Sequence, residues 1–169
     1  LSGTYCNLND IKIFKSSTNI GNEAPRKNSH GGAIYVSGTH NTLTNVSIDD
    51  SIASSVSMNA KGGAIYWSGT YGTLINANIS NTLANGRGGA IYWTGGSPTI
   101  DGIFIEYSQT NVTNSANSAD GGAMYLENIA NLTKVYIVNA LASRSTGDIK
   151  GGAIYYYNDI NAIVASSKD

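Results

Sequence analysis

With 169 residues, only 12% of them charged, and a formal net charge of −1, the chain offers no basic face to neutralise phosphates, which argues against a nucleic-acid partner. It has no apolar run approaching the roughly 18 residues of a membrane span. Its single cysteine, Cys6, supports neither a disulfide framework nor a thiolate metal cluster.

The N-terminal segment opens with "SGTYC" (residues 2–6) and the apolar stretch "LNDIKI" (Leu8 to Ile13). The pentad Gly-Gly-Ala-Ile-Tyr first occurs at Gly31 and returns at Gly62, Gly88, Gly121 (with Met124 for Ile) and Gly151. Its intervals are 31, 26, 33 and 30 residues. A second motif, Leu/Ile-x-x-apolar-x-Ile, follows the first four pentads as "LTNVSI", "LINANI", "IDGIFI" and "LTKVYI". "LNDIKI" matches it, so a degenerate coil precedes the first full pentad. A third segment trails behind as "DSIA", "NTLA" and "NALA", replaced by "YSQT" in the coil that begins at Gly88. It ends 22, 22, 22 and 21 residues after the first glycine, and 8, 3, 10 and 8 residues then precede the next Gly-Gly. Nearly all length variation thus falls at one corner of the repeat.

Each unit holds three short segments rich in β-branched residues, and helix caps are missing. Helical repeats are therefore excluded, and leucine-rich repeats need a denser Leu lattice. The fold expected is all-β: a single-stranded parallel β-helix of about 5–6 coils with ~30 residues and three strands per coil. One domain covers 1–169, with coils starting near 2, 31, 62, 88, 121 and 151.

Equivalent residues then stack about 4.8 Å apart. Ile34, Ile65, Ile91, Met124 and Ile154 form a column inside the bore, where each buried Ile contributes roughly 1.5–3 kcal/mol. Strand parity puts the Tyr column (Tyr35, Tyr66, Tyr92, Tyr125, Tyr155) on the opposite face as an outward aromatic ladder over small Ala side chains. Trp67 and Trp93 share the Ile parity and are expected only partly inside, where the strand turns. Asp50, Asn81 and Asn139 suggest a partial polar ladder, interrupted by Tyr107. The residues just before Gly-Gly (His30, Lys61, Arg87, Asp120, Lys150) form either a basic stripe broken by one acid or a set of solvated corners.

The pentads, the strand motif and the Asn/Ala-rich text resemble the repeat of polymorphic membrane proteins and of adhesin-like surface proteins of methanogenic archaea. "GGAIYWSGTYGTL" and "GGAIYWTGGSPTI" are especially similar to the archaeal versions, and the resemblance runs from about Leu8 to Ala165. It implies a right-handed β-helix at a cell surface or outside the cell, serving adhesion or surface-layer structure.

The alternative is a polysaccharide-degrading enzyme, which needs two carboxylates about 5–9.5 Å apart. Asp49, Asp50, Asp101, Glu106, Asp120, Glu127, Asp148 and Asp159 are spread over the coils, and their spacing singles out no pair. The expectation is a non-enzyme with no cofactor and no metal; His30 and His40 lie near different corners of one coil. The candidate binding surface is an aromatic patch of Tyr66, Tyr92, Trp67 and Trp93, beside a notch at Arg87 where the short loop Asn85 to Arg87 sits between longer ones. Four glycosylation sequons, at Asn45, Asn78, Asn111 and Asn131, match the ~4 expected by chance in a chain this rich in Asn, Ser and Thr; Asn111, in "NVTNSANSAD", is the most accessible. Expected partners are flanking repeats or other copies of the chain, cell-surface glycans or proteins. "IVASSKD" stops within a coil, so the chain is expected to be either part of a longer surface protein or a subunit that stacks end to end into a filament or sheath.

Overall fold

The computed structural model describes residues 1–21, 28–55, 60–113, 118–128 and 131–157. Asp159 and the segment "IVASSKD" fall outside these residues. The chain is a parallel β-solenoid. An opening strand β1 (Asn7–Ile20) is followed by three coils of three strands each: β2 (Ile34–Val36), β3 (Thr42–Ser55) and β4 (Ala60–Lys61); β5 (Ile65–Trp67), β6 (Thr73–Ala84) and β7 (Gly86–Arg87); β8 (Ile91–Trp93), β9 (Thr99–Val112) and β10 (Ala119–Asp120). The next coil holds β11 (Met124–Glu127), β12 (Asn131–Val138), β13 (Leu141–Arg144) and β14 (Ile149–Lys150), and β15 (Ile154–Tyr157) begins the next. Equivalent strands pair in three sheets, ordered β1-β3-β6-β9-β12 with β13 also on β9, β14-β10-β7-β4, and β15-β11-β8-β5-β2.

Three sheets bear out the parallel β-helix. Five layers in the pentad sheet mark four complete turns, fewer than the five to six coils expected from the repeat count. The pentads stack in register, Ile34 on Ile65, Ile65 on Ile91, Ile91 on Met124 and Met124 on Ile154.

The constant part of the repeat has a backbone cause. Left-handed residues recur 9, 14 and 19 positions after the first glycine of a pentad: His40, Asn45 and Asp50; Tyr71, Asn76 and Asn81; Ser97, Gly102 and Tyr107. Tyr5, Asp10 and Lys15 repeat the pattern in the opening coil. The long strands bend at these points, and the β3–β6 register passes over Asn45 and Asn76. Asn and Asp tolerate this conformation because their short polar side chains bond locally. In the coil from Gly121 the last two bends, at Lys134 and Asn139, come one residue earlier; apart from that single residue, length variation collects in the segment before Gly-Gly.

The two pentad glycines serve different needs. Gly62 sits at φ +68, and a Cβ there would lie 2.0 Å from the Ile65 carbonyl oxygen. Gly63 has no such φ, yet a Cβ would lie 1.9 Å from the Gly89 carbonyl oxygen of the next coil. The first glycine makes the corner and the second lets coils close up.

The bore is filled by Leu43, Leu74 and Ile100, by Ile48, Ile79 and Ile105, and by Ile65, Ile91 and Met124 of the pentad column, with Ile34 partly buried; Ile154, expected inside, is exposed at the end of the stack. Trp67 and Trp93 correct one expectation. Both are fully buried and belong to this core, with ring centroids 4.1 Å apart. They share the inward parity of Ile65 and Ile91, and the bore is wide enough there to take them whole. Gly72 makes room, since a Cβ on it would lie 2.4 Å from the Trp67 indole nitrogen.

A hydroxyl column also lies inside. Ser16 and Ser51 share a hydrogen bond of 3.0 Å, and Thr82 donates to Ser108 at 2.9 Å. Ser51 and Ser108 donate to the Gly63 and Gly122 carbonyls at 2.8 and 3.0 Å. Buried hydroxyls satisfied in this way tie the third segment to the glycine corner.

Candidate functional site

The non-bore face of the pentad sheet carries the Tyr column, as parity predicts. Successive centroids lie 5.1, 5.4, 4.7 and 5.1 Å apart from Tyr35 to Tyr155. The ladder is not exposed along its length: Tyr66, Tyr92 and Tyr125 are 9%, 2% and 4% accessible and form an apolar cluster of their own.

The cover comes from the residues before Gly-Gly. His30 stacks on Tyr66 of the following coil at 4.2 Å. The Lys61 ammonium lies 4.9 Å from the Tyr92 centroid and the Arg87 guanidinium 5.1 Å from that of Tyr125. Lys150 caps Tyr155 at 5.7 Å. Each cation meets the electron-rich face of a ring while its stem covers apolar surface. Asp120, the one acid of the column, pairs with Arg87 at 3.2 Å. From His30 to Asp120 the column is thus a lid over the tyrosines, while Lys150, at its end, is an exposed corner.

Glu127 completes the cluster by accepting from the Tyr125 hydroxyl at 2.9 Å and from Tyr92 at 3.4 Å. Burial, with the Glu127 charge and hydrogen bond beside them, pushes both phenols well above the ordinary tyrosine range. They are hydrogen-bond donors and not phenolate bases. Burial and the neighbouring Arg87 push the Lys61 ammonium down, and burial followed by the Lys61 charge lowers His30.

The aromatic patch expected from Tyr66, Tyr92, Trp67 and Trp93 beside Arg87 therefore needs correction. The two tryptophans point into the bore, the two tyrosines lie under the lid, and Arg87 is engaged with Asp120. Parity separates Tyr from Trp, and lysine and arginine stems close what composition alone left open.

Other acids are also engaged. The Asp49 carboxylate accepts from Ser80 at 2.7 Å and Asn81 at 2.8 Å, which hold it below its usual range. Asp10 accepts from Asn45 at 2.9 Å, and the Asn45 oxygen accepts from Asn76 at 3.3 Å. This Asp10–Asn45–Asn76 ladder is a coil-to-coil polar ladder that the sequence reading missed; at the expected corner, Asn81 bonds Asp49 instead of Asp50. Asp101 and Glu106 stand on opposite sides of the left-handed bend at Gly102. Among the described residues no three His, Cys, Asp or Glu side chains group as metal ligands would.

A second aromatic stack stands on the outside, at the corner nine residues after the first glycine. Tyr5, His40 and Tyr71 occupy equivalent left-handed positions, with centroids 4.6 and 4.8 Å apart and planes within 22°. Tyr5 and Tyr71 are 70% and 57% accessible. Phe14, Phe104, Tyr107 and Tyr136 are further exposed rings. The signal for this corner was present in the sequence as a fixed offset from Gly-Gly. It was hidden because the column mixes Tyr, His and Ser.

Asn45, Asn78, Asn111 and Asn131 are all exposed, with Asn111 at the end of β9 and the amide of Asn45 committed to its ladder. Comparison of the chain with protein-family models, curated proteins and solved structures gives no match in any of the three.

Proposed function

We infer that the chain is a non-enzymatic β-helical module of an extracellular or cell-surface protein, serving adhesion or surface-layer structure. One observation carries most of the weight: four acids along the solenoid are spent on side chains of neighbouring coils. Asp10, Asp49, Asp120 and Glu127 each hold a neighbouring coil's side chain. Hydrolysis of a glycan needs one protonated and one ionised carboxyl facing a common substrate, and acids engaged in this way are poorly placed for it. The resemblance of the GGAIY repeat to adhesin-like surface proteins supports the location, as does the exposed aromatic corner. Flanking repeats or other copies, and cell-surface glycans or proteins, are the partners this reading names.

The experiment is direct. Labelled chain is incubated with immobilised cell-envelope material and with soluble polysaccharides, and both retention and newly formed reducing ends are measured. Retention with intact polysaccharide is the expected result; sustained release of reducing ends would replace this reading with the hydrolytic one.

A further inference from the structure

We propose that the corner beside Tyr71 is a stacking slot for one pyranose ring of a neutral, β-linked glycan. The proposal rests on the adhesive reading and names its ligand class.

Three consecutive coils place a ring at this corner, and the fourth places Ser97 there in the same left-handed conformation, φ 55. The backbone column continues unbroken. The Tyr71 amide donates to the Gly96 carbonyl at 2.8 Å, just as the His40 amide donates to that of Thr70 at 2.9 Å. Only the ring is missing. The stack, with separations of 4.6 and 4.8 Å, ends with one face of Tyr71 turned toward a hydroxymethyl group. Among the described residues, a Cβ added at Gly96 would meet Thr70 Cγ2 alone, at 4.0 Å.

The rings at this corner are held at a cost. A left-handed backbone disfavours residues with a Cβ, and for a bulky residue it is a true outlier. Five residues on, the same coils use Asp10, Asn45, Asn76 and Gly102 to make the bend comfortably. Tyr71 recovers little by burial, because it is mostly exposed. Lys15 and the exposed Tyr107 hold the same conformation ten residues on, so the bend belongs to the coil, and the exposed ring chosen for it is what points outside the fold.

The chemistry of the slot selects its occupant. Tyr71 offers a flat apolar face, and two exposed hydroxyl residues adjoin it in the fold: Thr70, which precedes it in the chain, and Ser97, at the equivalent position of the next coil. The column positions are Tyr, His, Tyr and Ser, without a carboxylate or ammonium group. A pyranose with equatorial substituents presents a flat face of C–H bonds and a rim of hydroxyls, which matches both features. A phenyl group from a protein would satisfy the face and leave the hydroxyls unused. An anionic sugar would find no lysine or arginine in this column.

Cellotetraose and chitotetraose are the probes, titrated into the whole chain by NMR or calorimetry, with chromatography of the oligosaccharides afterwards. Binding near 1 mM is expected, about −4 kcal/mol. Tyr71→Ala should weaken it at least tenfold. Ser97→Tyr should abolish it, because the added ring extends the stack into the slot. Circular dichroism and thermal melts identify any variant that misfolds, and Ser97→Tyr is expected to keep or raise the wild-type midpoint. Equal affinity in all three chains, or no binding of either probe by wild type, overturns the slot. So does a Phe-containing peptide that competes for Tyr71 while the oligosaccharides do not. Shortened oligosaccharides would instead overturn the non-enzymatic reading, which intact binding insensitive to both substitutions would leave standing.

Discussion

The two aromatic stacks run along the same solenoid with nearly the same spacing, yet they differ in what surrounds them. Tyr92 has a ring on either side, a lysine over its face and Glu127 near its hydroxyl. Tyr71 has one ring neighbour and no comparable lid, and it protrudes from a bend that disfavours it. Stacking alone therefore does not tell a structural ring from an exposed one. The deciding features are the residue that precedes Gly-Gly and the backbone conformation beneath the ring.

Substitutions can break this contrast. Tyr92→Ala should destabilise the fold by about 3–5 kcal/mol in urea denaturation, the usual cost of emptying a large buried aromatic site. Tyr71→Ala should change stability by no more than about 0.5 kcal/mol, as exposed substitutions do. Comparable losses at both sites would remove the distinction. Gly63→Ala should be nearly as damaging as Tyr92→Ala, about 3 kcal/mol or more, because the added carbon meets backbone of the next coil. A wild-type denaturation midpoint for that variant would show that coils need not approach so closely.

The lid gives a subtler test. Glu127→Gln keeps an acceptor for Tyr125 but removes its charge, and should cost about 1 kcal/mol. His30, held below the ordinary histidine range by burial and by Lys61, makes stability depend on pH. Its neutral form is favoured in the fold, so the unfolded chain takes up protons first as pH drops. The contribution is present above about pH 6.5 and is lost on acidification through the lowered folded-state value. His30→Phe, which keeps a ring over Tyr66, should flatten that part of the profile; an unchanged profile would mean that His30 does not titrate against the fold. Tyr71→Asn, which suits the left-handed bend, should be neutral or stabilising by up to about 0.5 kcal/mol in thermal melts.

Much of this architecture was legible in the sequence because columns of a solenoid must tolerate themselves. The Gly-Gly corner, the Ile bore and the Tyr face follow from repetition and strand parity. The basic column was legible too, but not its role. Lys61 and Arg87 reach across to the tyrosine of the next coil, and such reach is a property of side-chain stems that periodicity does not encode. Trp67 was misjudged because large residues were expected at the rim of a turn; the glycine that accommodates it, Gly72, lies five residues on. The left-handed bends at 9, 14 and 19 residues after Gly-Gly escaped notice for a related reason. They are occupied by Tyr, His, Lys and Ser as well as by Asn, Asp and Gly, so composition did not mark them.

Limited nitration of native chain with tetranitromethane, mapped by mass spectrometry, compares every tyrosine in one sample. Tyr5, Tyr136, Tyr71 and Tyr107 should be modified first, with Tyr66, Tyr92 and Tyr125 protected until the chain unfolds. Modification of Tyr92 at the rate of Tyr71 would contradict the covered ladder, and with it the separation of scaffold from surface on which the functional reading stands.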